Sequence, residues 1–399
     1  MTERHVIESR DEYLDAVRII AQGTGPIAVD AERASGYRYS QRAYLIQLYR
    51  RDAGLFLFDP PAVGRFDELN DAIGNEEWVL HAASQDLACL REVGLNPSTI
   101  FDTELAARLL GLPRVGLGTV VEELLGIHLA KEHSAADWST RPLPAAWLEY
   151  AALDVELLID VRDKLADMLD AGGKRAIASQ EFDATLARQP KVQRQDPWRR
   201  LSGLNTVRGA RNLAIARELW TERDAVARES DTAPGRLVPD ASLVAAVKAE
   251  PRTGSALAAL REFKGRASRT ELPRWWAAIE RGLRTEDLPP LRGSSGDTLP
   301  PPRAWADRNP EADARLKAAR EAVAAISDDL AIPIENLLTP DTLRRVAWNP
   351  PEPPTADAVA NALAGLSARP WQIDATAQAI AAAFVESSQT VADAPKTES

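Results

Sequence analysis

Strand signals crowd into the first 102 of this chain's 399 residues and then stop. PIAVDAE, AYLIQLY, LFLFD, WVLHAA and STIFD are apolar, β-branched or aromatic runs bounded by polar or Gly-containing loops. The first three follow one another through short connections, which predicts an antiparallel meander. An amphipathic helix is expected over 8–22, before the first strand. Helical stretches over 65–73, in SQDLACLREVG and in TELAARLLG alternate with the last two strands. LGTVVEELLG follows, then one long helix over 144–171, stopped by Gly172 and Gly173. The order βββαβαβα is that of an α/β domain.

From about Asp196 the pattern is helical throughout. NTVRGARNLAIARELWTERDAVARESD reads as one long helix, with ASLVAAVKAE, SALAALREF and ELPRWWAAIERGL as shorter ones. TEDLPPLRGSSGDTLPPP is dense in Pro, Gly and Ser and reads as a flexible linker. A second helical set starts near Ala304. Each set opens with a long Arg-containing helix, continues through a Pro-marked loop (GRLVPDASLVAAV, AIPIENLLTPDTLRRV) and ends where Trp enters a last helix (RWWAAI, PWQIDATAQAI). This suggests a duplicated module. The expected units are 1–190, 200–285, a linker over 286–302, 303–384, and a disordered tail over 385–399 without apolar content. A flexible linker predicts that residues 1–195 fold alone.

The net charge of −11 conceals a contrast. Residues 1–190 carry 19 Lys/Arg against 31 Asp/Glu, residues 191–290 carry 19 against 13, and residues 291–399 carry 10 against 15. The basic middle is where a phosphate backbone would be gripped. The single cysteine, Cys89, excludes an internal disulfide and fits a reducing compartment. The polar N-terminus lacks a signal-peptide core, and no apolar run is long enough for a membrane helix. A soluble, cytoplasmic, monomeric protein without membrane contact is expected.

Asp30 and Glu32 lie two apart on a strand and share one face. Chance supplies such a pair often in so acidic a chain, but charged residues seldom end a buried strand without a function. Asp86 follows a strand and opens a helix, a place that the helix dipole alone would favour. Tyr150 and Asp154, one turn apart, share a helix face; a half-buried Tyr beside a surface Asp would look the same. His81 and Cys89 flank Asp86 without metal-ligand spacing and are read as packing. Four carboxylates brought to one point cannot all stay ionised without cations. The set therefore predicts two divalent ions and phosphodiester cleavage, and all-oxygen ligands point to Mg²⁺ or Mn²⁺.

Taken in order, these motifs resemble the DEDD exonucleases, in their tyrosine-containing branch. LIQL, FDTELAARLLG, SAADWSTRPL and LEYAALDV are similar to ribonuclease D over residues 1–190. Segment 200–285 resembles an HRDC domain, and 303–384 a second, divergent copy. The resemblance implies a ribonuclease-H-like α/β exonuclease domain followed by two all-α HRDC-like domains. It also implies a 3′→5′ exoribonuclease that releases nucleoside 5′-monophosphates from structured or tRNA-like RNA 3′ ends. Asp30 would bridge the ions, Glu32 and Asp154 complete the first, Asp86 hold the second, and Tyr150 orient the attacking water. Two departures stand out: Ala31 between the first two acids, and a long polar loop at 36–41 that would alter substrate contacts. Arg38, Arg42 and Arg141 are candidate phosphate contacts near the site; Arg261, Lys264, Arg266 and Arg269 form a basic run beside Trp275 and Trp276, both read as core. A DNA 3′→5′ exonuclease and a non-catalytic nucleic-acid-binding protein remain alternatives, because nothing in the sequence reads a 2′-hydroxyl.

Overall fold

A mixed six-stranded sheet in the order β1-β4-β3-β2-β5-β6 is the frame of the computed structural model, which describes residues 4–129, 135–188, 195–291 and 299–392. The strands are β1 (Val6–Ile7), β2 (Thr24–Arg33), β3 (Ala43–Arg51), β4 (Gly54–Phe58), β5 (Glu77–Leu80) and β6 (Thr99–Asp102). The expected meander is present: β2–β3 and β3–β4 are antiparallel. β5 and β6 add in parallel on the other side of β2. β1, with two residues, is too short for alternation to reveal. Ile27, Ala28 and Val29 are buried in succession on β2, as a strand covered on both faces requires. Parallel pairing brings the carboxyl ends of β2, β5 and β6 to one edge, where open α/β sheets form their ligand crevice.

The expected helix over 144–171 is two helices, Ala145–Glu156 and Leu158–Ala171, parted at Leu157 (φ −97°, ψ −9°). Neither Pro nor Gly marks the break, so the sequence held no signal for it. The helical sets repeat one order. Ala210–Glu229, Pro234–Leu237, Asp240–Ala249, Gly254–Ala258 and Leu272–Arg284 correspond to Pro310–Leu330, Ile334–Leu337, Pro340–Trp348, Ala356–Gly365 and Pro370–Ala392.

The two sets differ in what they pack against. The first has its own core around Trp198, Leu219, Leu243, Phe263 and Trp275. Trp275 is fully buried, with Nε1 donating to the Ser268 carbonyl at 3.1 Å, and Trp276 packs at the edge of that core. The second set shares one continuous core with the sheet domain, where Leu316, Val323, Trp371 and Phe384 join Phe101, Leu109 and Phe182. Buried Glu181 on helix Arg175–Leu186 accepts from Arg369 at 2.5 and 2.7 Å and from Trp371 Nε1 at 2.8 Å. At Gly111 (φ 75°) a Cβ would stand 2.7 Å from the Ala331 carbonyl oxygen, so the two units meet backbone to backbone. This corrects the expectation that residues 1–195 fold alone. Removing 196–399 would bare an apolar face and leave the Glu181 carboxylate unpaired, a loss of about 3–5 kcal/mol for a buried pair.

Two further expectations change. The helix Pro370–Ala392 carries residues 385–392, which low apolar content had placed in a disordered tail; no Pro or Gly intervenes, and extending a formed helix is cheap. The rest of that tail (393–399), part of the linker (292–298), and residues 131–134 and 189–190 lie outside the described residues. The 36–41 loop, expected to meet substrate, docks on the first helical set. Ser40 N–H donates to Asp231 Oδ1 at 2.8 Å, Tyr39 Oη to Asp224 Oδ1 at 3.0 Å, and Arg236 Nε to the Gly36 carbonyl at 2.7 Å. The Arg236 guanidinium also lies 3.7 Å from the Tyr37 ring centre.

Candidate active site

The cleft at the carboxyl ends of the strands holds about 450 Å³. β2 delivers Asp30 and Glu32 to it, two apart and on the same face. Asp30 lies opposite Gln47 across the β2–β3 ladder, and the buried Gln47 amide donates to Asp30 Oδ2 at 3.4 Å. Helix Ala145–Glu156 crosses above and lowers Tyr150 and Asp154 into the cleft. One oxygen each from Asp30, Glu32 and Asp154 lie within 4.8 Å of one another.

Asp86 arrives by a different route. After β5 the chain takes a left-handed turn at Ala82 (φ 61°), makes a short 3₁₀ turn over Ala83–Gln85, and enters helix Leu87–Glu92 with Asp86 at its start. Asp102, at the end of β6, pins this turn. Its carboxylate accepts from the N–H groups of Ala82 (3.0 Å), Ala83 (2.9 Å), Glu104 (3.0 Å) and Leu105 (3.1 Å). Asp86 is buried, 3.5 Å from Arg33 Nη2, and lies outside the tight Asp30–Glu32–Asp154 group while facing the same cleft.

Burial pushes all four carboxyls up. Glu32 rises to about 10, by desolvation first and then by repulsion from Asp30, Asp154 and Asp86. Asp154 rises to about 8, by desolvation and then by Asp30. Asp30 and Asp86 shift the same way, desolvation leading in each. Asp30 is the charge that the other three all feel, so it stands at the centre of the group. Hard oxygen donors that protonate unless cations hold them ionised are a fitting donor set for Mg²⁺ or Mn²⁺. The Tyr150 phenol, hydrogen-bonded to Asp154, is driven further from ionisation by burial and by the surrounding carboxylates. It keeps its proton, and its ring leans on Trp138, with centroids 6.5 Å apart.

The other sequence candidates are scattered. Arg141 does not line the cleft: its fork clamps Asp59 at 2.5 Å and the Trp138, Thr140 and Tyr44 carbonyls, which removes it from the phosphate candidates. Arg38 donates to Ser139 Oγ at 2.8 Å, and Arg42 lies over the Tyr44 ring, 3.7 Å from Asp231; neither lines the cleft. Arg261, Lys264, Arg266 and Arg269 are exposed on the first helical set. Cys89 is buried as expected, its thiol pushed up to about 12 by desolvation. His81 is more than packing: it forms part of the cleft wall, with Nδ1 2.9 Å from Thr103 Oγ1, and burial lowers it to about 4, so it stays neutral. Three residues had escaped notice: Gln47, Asp102 and Arg33. The first two carried a signal, a lone amide inside the apolar LIQL run and an acid closing a strand just before a helix.

The class follows from the sheet order and the site: an α/β 3′–5′ exonuclease domain followed by HRDC-type helices. Residues 5–170 match the family model of a 3′-5′ exonuclease, 212–279 that of the HRDC domain, and 298–384 that of the 3′ to 5′ exonuclease C-terminal domain. The chain belongs to the ribonuclease D family. It is 32% identical over 275 residues to the ribonuclease D of Zymomonas mobilis, covering 66% of this chain and 69% of that one. Other curated relatives are matched over about half their length. A protein from Bifidobacterium adolescentis has a similar structure, with TM-score 0.86, 37% identity, and 96% and 97% of the two chains covered. The RNase D of Escherichia coli is similar at TM-score 0.66 and 26% identity, over 91% and 98%. Among the described residues no helix is long and apolar enough to cross a membrane.

Proposed function

We propose that this chain is a 3′→5′ exoribonuclease that hydrolyses phosphodiesters from RNA 3′ ends and releases nucleoside 5′-monophosphates. The observation that carries the reading is the meeting of Asp30, Glu32 and Asp154 oxygens within 4.8 Å, with Asp86 and Tyr150 in the same cleft. Asp30, Glu32, Asp154 and Asp86 would hold two divalent cations, Mg²⁺ or Mn²⁺, with Asp30 shared because it is central. When bound, the ions acidify water and offset charge on the departing 3′-oxygen. Tyr150, protonated and tied to Asp154, orients the water that attacks phosphorus and does not abstract its proton. Gln47 holds the Asp30 carboxylate in its rotamer, and Asp102 fixes the turn that presents Asp86.

RNA as substrate is supported by the ribonuclease D relatives, among them the Escherichia coli enzyme, an exoribonuclease involved in structured RNA processing. Structured, tRNA-like ends are the proposed targets. The catalytic unit is 1–190, braced by the helices of 303–392. The HRDC unit, 200–285, carries the basic surplus and grips the RNA body. The test compares hydrolysis of matched RNA and DNA oligonucleotides with Mg²⁺, Mn²⁺ or EDTA. Metal-dependent loss of RNA well ahead of DNA is expected; equal rates would favour a general nuclease, and full activity in EDTA would end the two-metal reading.

A further inference from the structure

Arg33 stands where strand geometry would not put it. Asp30 and Glu32 face the cleft, and strict alternation would send Arg33 to the other face with buried Val29. The β2–β3 register slips just there, from Glu32 opposite Leu45 to Arg33 opposite Ala43. The extra residue, Tyr44, lies on β3, and such irregularities are common beside active sites. Here the slip accompanies a guanidinium on the cleft lining, 3.5 Å from Asp86.

Among the described residues lining the cleft, Arg33 is the only Lys or Arg, facing Asp30, Glu32, Asp86, Glu104 and Asp154. Its 3.5 Å approach to Asp86 exceeds the roughly 2.7–2.9 Å of a charge-assisted hydrogen bond. The side chain is 27% exposed, so solvent and ligand reach it. A guanidinium cannot lose its proton in a protein, and its planar fork matches phosphate oxygens. Arg141 and Arg38, by contrast, are tied to protein partners away from the cleft.

We infer that Arg33 is the phosphate-binding side chain of this cleft, gripping nonbridging oxygens of the terminal nucleotide's 5′-phosphate. This rests on the exonuclease reading above, since that phosphate is the one being cleaved. Asp86 would be held by a cation when one is bound, which would leave the Arg33 fork available to the phosphate. Arg33 is then a substrate contact at the end of β2, beside the acidic motif and at the point where the β2–β3 register slips.

The experiment measures binding of adenosine 5′-monophosphate and of adenosine to the full chain in Mn²⁺ by calorimetry. The proteins are wild type, Arg33→Met, Arg33→Ala and Arg33→Lys, with Mn²⁺ affinity measured alongside. The monophosphate is a product and cannot turn over. Wild type should prefer it to adenosine. Arg33→Met and Arg33→Ala should weaken the monophosphate roughly tenfold to a hundredfold, the worth of a charge-assisted hydrogen bond to phosphate, and leave adenosine unchanged. Arg33→Lys should retain part of the preference, and Mn²⁺ should bind as tightly or more tightly in every variant. Unchanged monophosphate binding in a folded Arg33→Met protein overturns the inference alone. Equal weakening of both ligands, or weakened Mn²⁺ binding, overturns it in favour of a structural or Asp86-positioning role. A wild type that binds neither ligand in Mn²⁺ overturns this inference together with the exonuclease reading.

Discussion

Removing divalent cations should make this protein's stability fall as pH rises. In the metal-free chain burial pushes Glu32 up to about 10 and Asp154 up to about 8, against ordinary carboxyl values near 4. Between about pH 5.5 and 7.5 the folded protein therefore holds protons on these groups that the unfolded chain has released. A folded value raised above the unfolded one gives stability that is complete at low pH and is lost as pH climbs toward the folded value. Each such proton contributes about 1.4 kcal/mol per pH unit. One or two groups thus give a slope of about −1 to −3 kcal/mol per pH unit. At roughly 2–4 °C per kcal/mol for a large domain, Tm should drop by several degrees per unit. Saturating Mn²⁺ holds the carboxylates ionised in the folded state and should flatten the slope. The assay is thermal unfolding across that range in EDTA and in Mn²⁺, for wild type and Asp154→Asn, which removes one titrating group and should shallow the EDTA slope. A flat EDTA profile, or the same slope with and without Mn²⁺, would refute the claim that these carboxyls form one desolvated, cation-requiring cluster.

Asp30→Asn should leave no measurable turnover, because it removes the charge common to the other three acids; Tyr150→Phe should lose on the order of 10²–10⁴ in rate with near-normal binding, as loss of a positioned hydroxyl implies. Wild-type rates for Tyr150→Phe in single-turnover assays would remove its role. Asp102→Asn leaves one carbonyl oxygen for four N–H groups and should cost about 1–3 kcal/mol in denaturant unfolding. It should also lower kcat more than it raises KM, since it is Asp86 that shifts. Asp224→Ala combined with Asp231→Ala removes two of the acceptors that dock the 36–41 loop on the HRDC unit and should weaken structured RNA while short single strands are cleaved normally; a salt titration of binding should show a shallower slope, and an unchanged one would count against the docked unit gripping the backbone.

Most of the sheet was legible from local pattern, and the five candidate site residues from the order of their motifs and the family that this order resembles. Period-two alternation put Asp30 and Glu32 on one face, and helical spacing did the same for Tyr150 and Asp154. What escaped depends on distant partners. Arg33 enters the cleft at a register slip that involves β3, which alternation along β2 cannot show. Leu157 parts two helices without a breaker residue, and the second helical set joins the sheet domain through Glu181, Arg369 and Trp371, which lie almost two hundred residues apart. Arg141 looked like a phosphate ligand by charge alone, until its acceptors, Asp59 and three carbonyls, came into view.

The most direct test of the central claim is a time course on one structured RNA, labelled at its 3′ end in one sample and its 5′ end in the other, with Mg²⁺. A 3′→5′ exonuclease with this site should release the 3′ label at once as a mononucleotide, while the 5′-labelled RNA shortens step by step. Both should stop in EDTA and in Asp30→Asn. Immediate release of short 5′-labelled fragments, or undiminished cleavage by Asp30→Asn, would contradict the account.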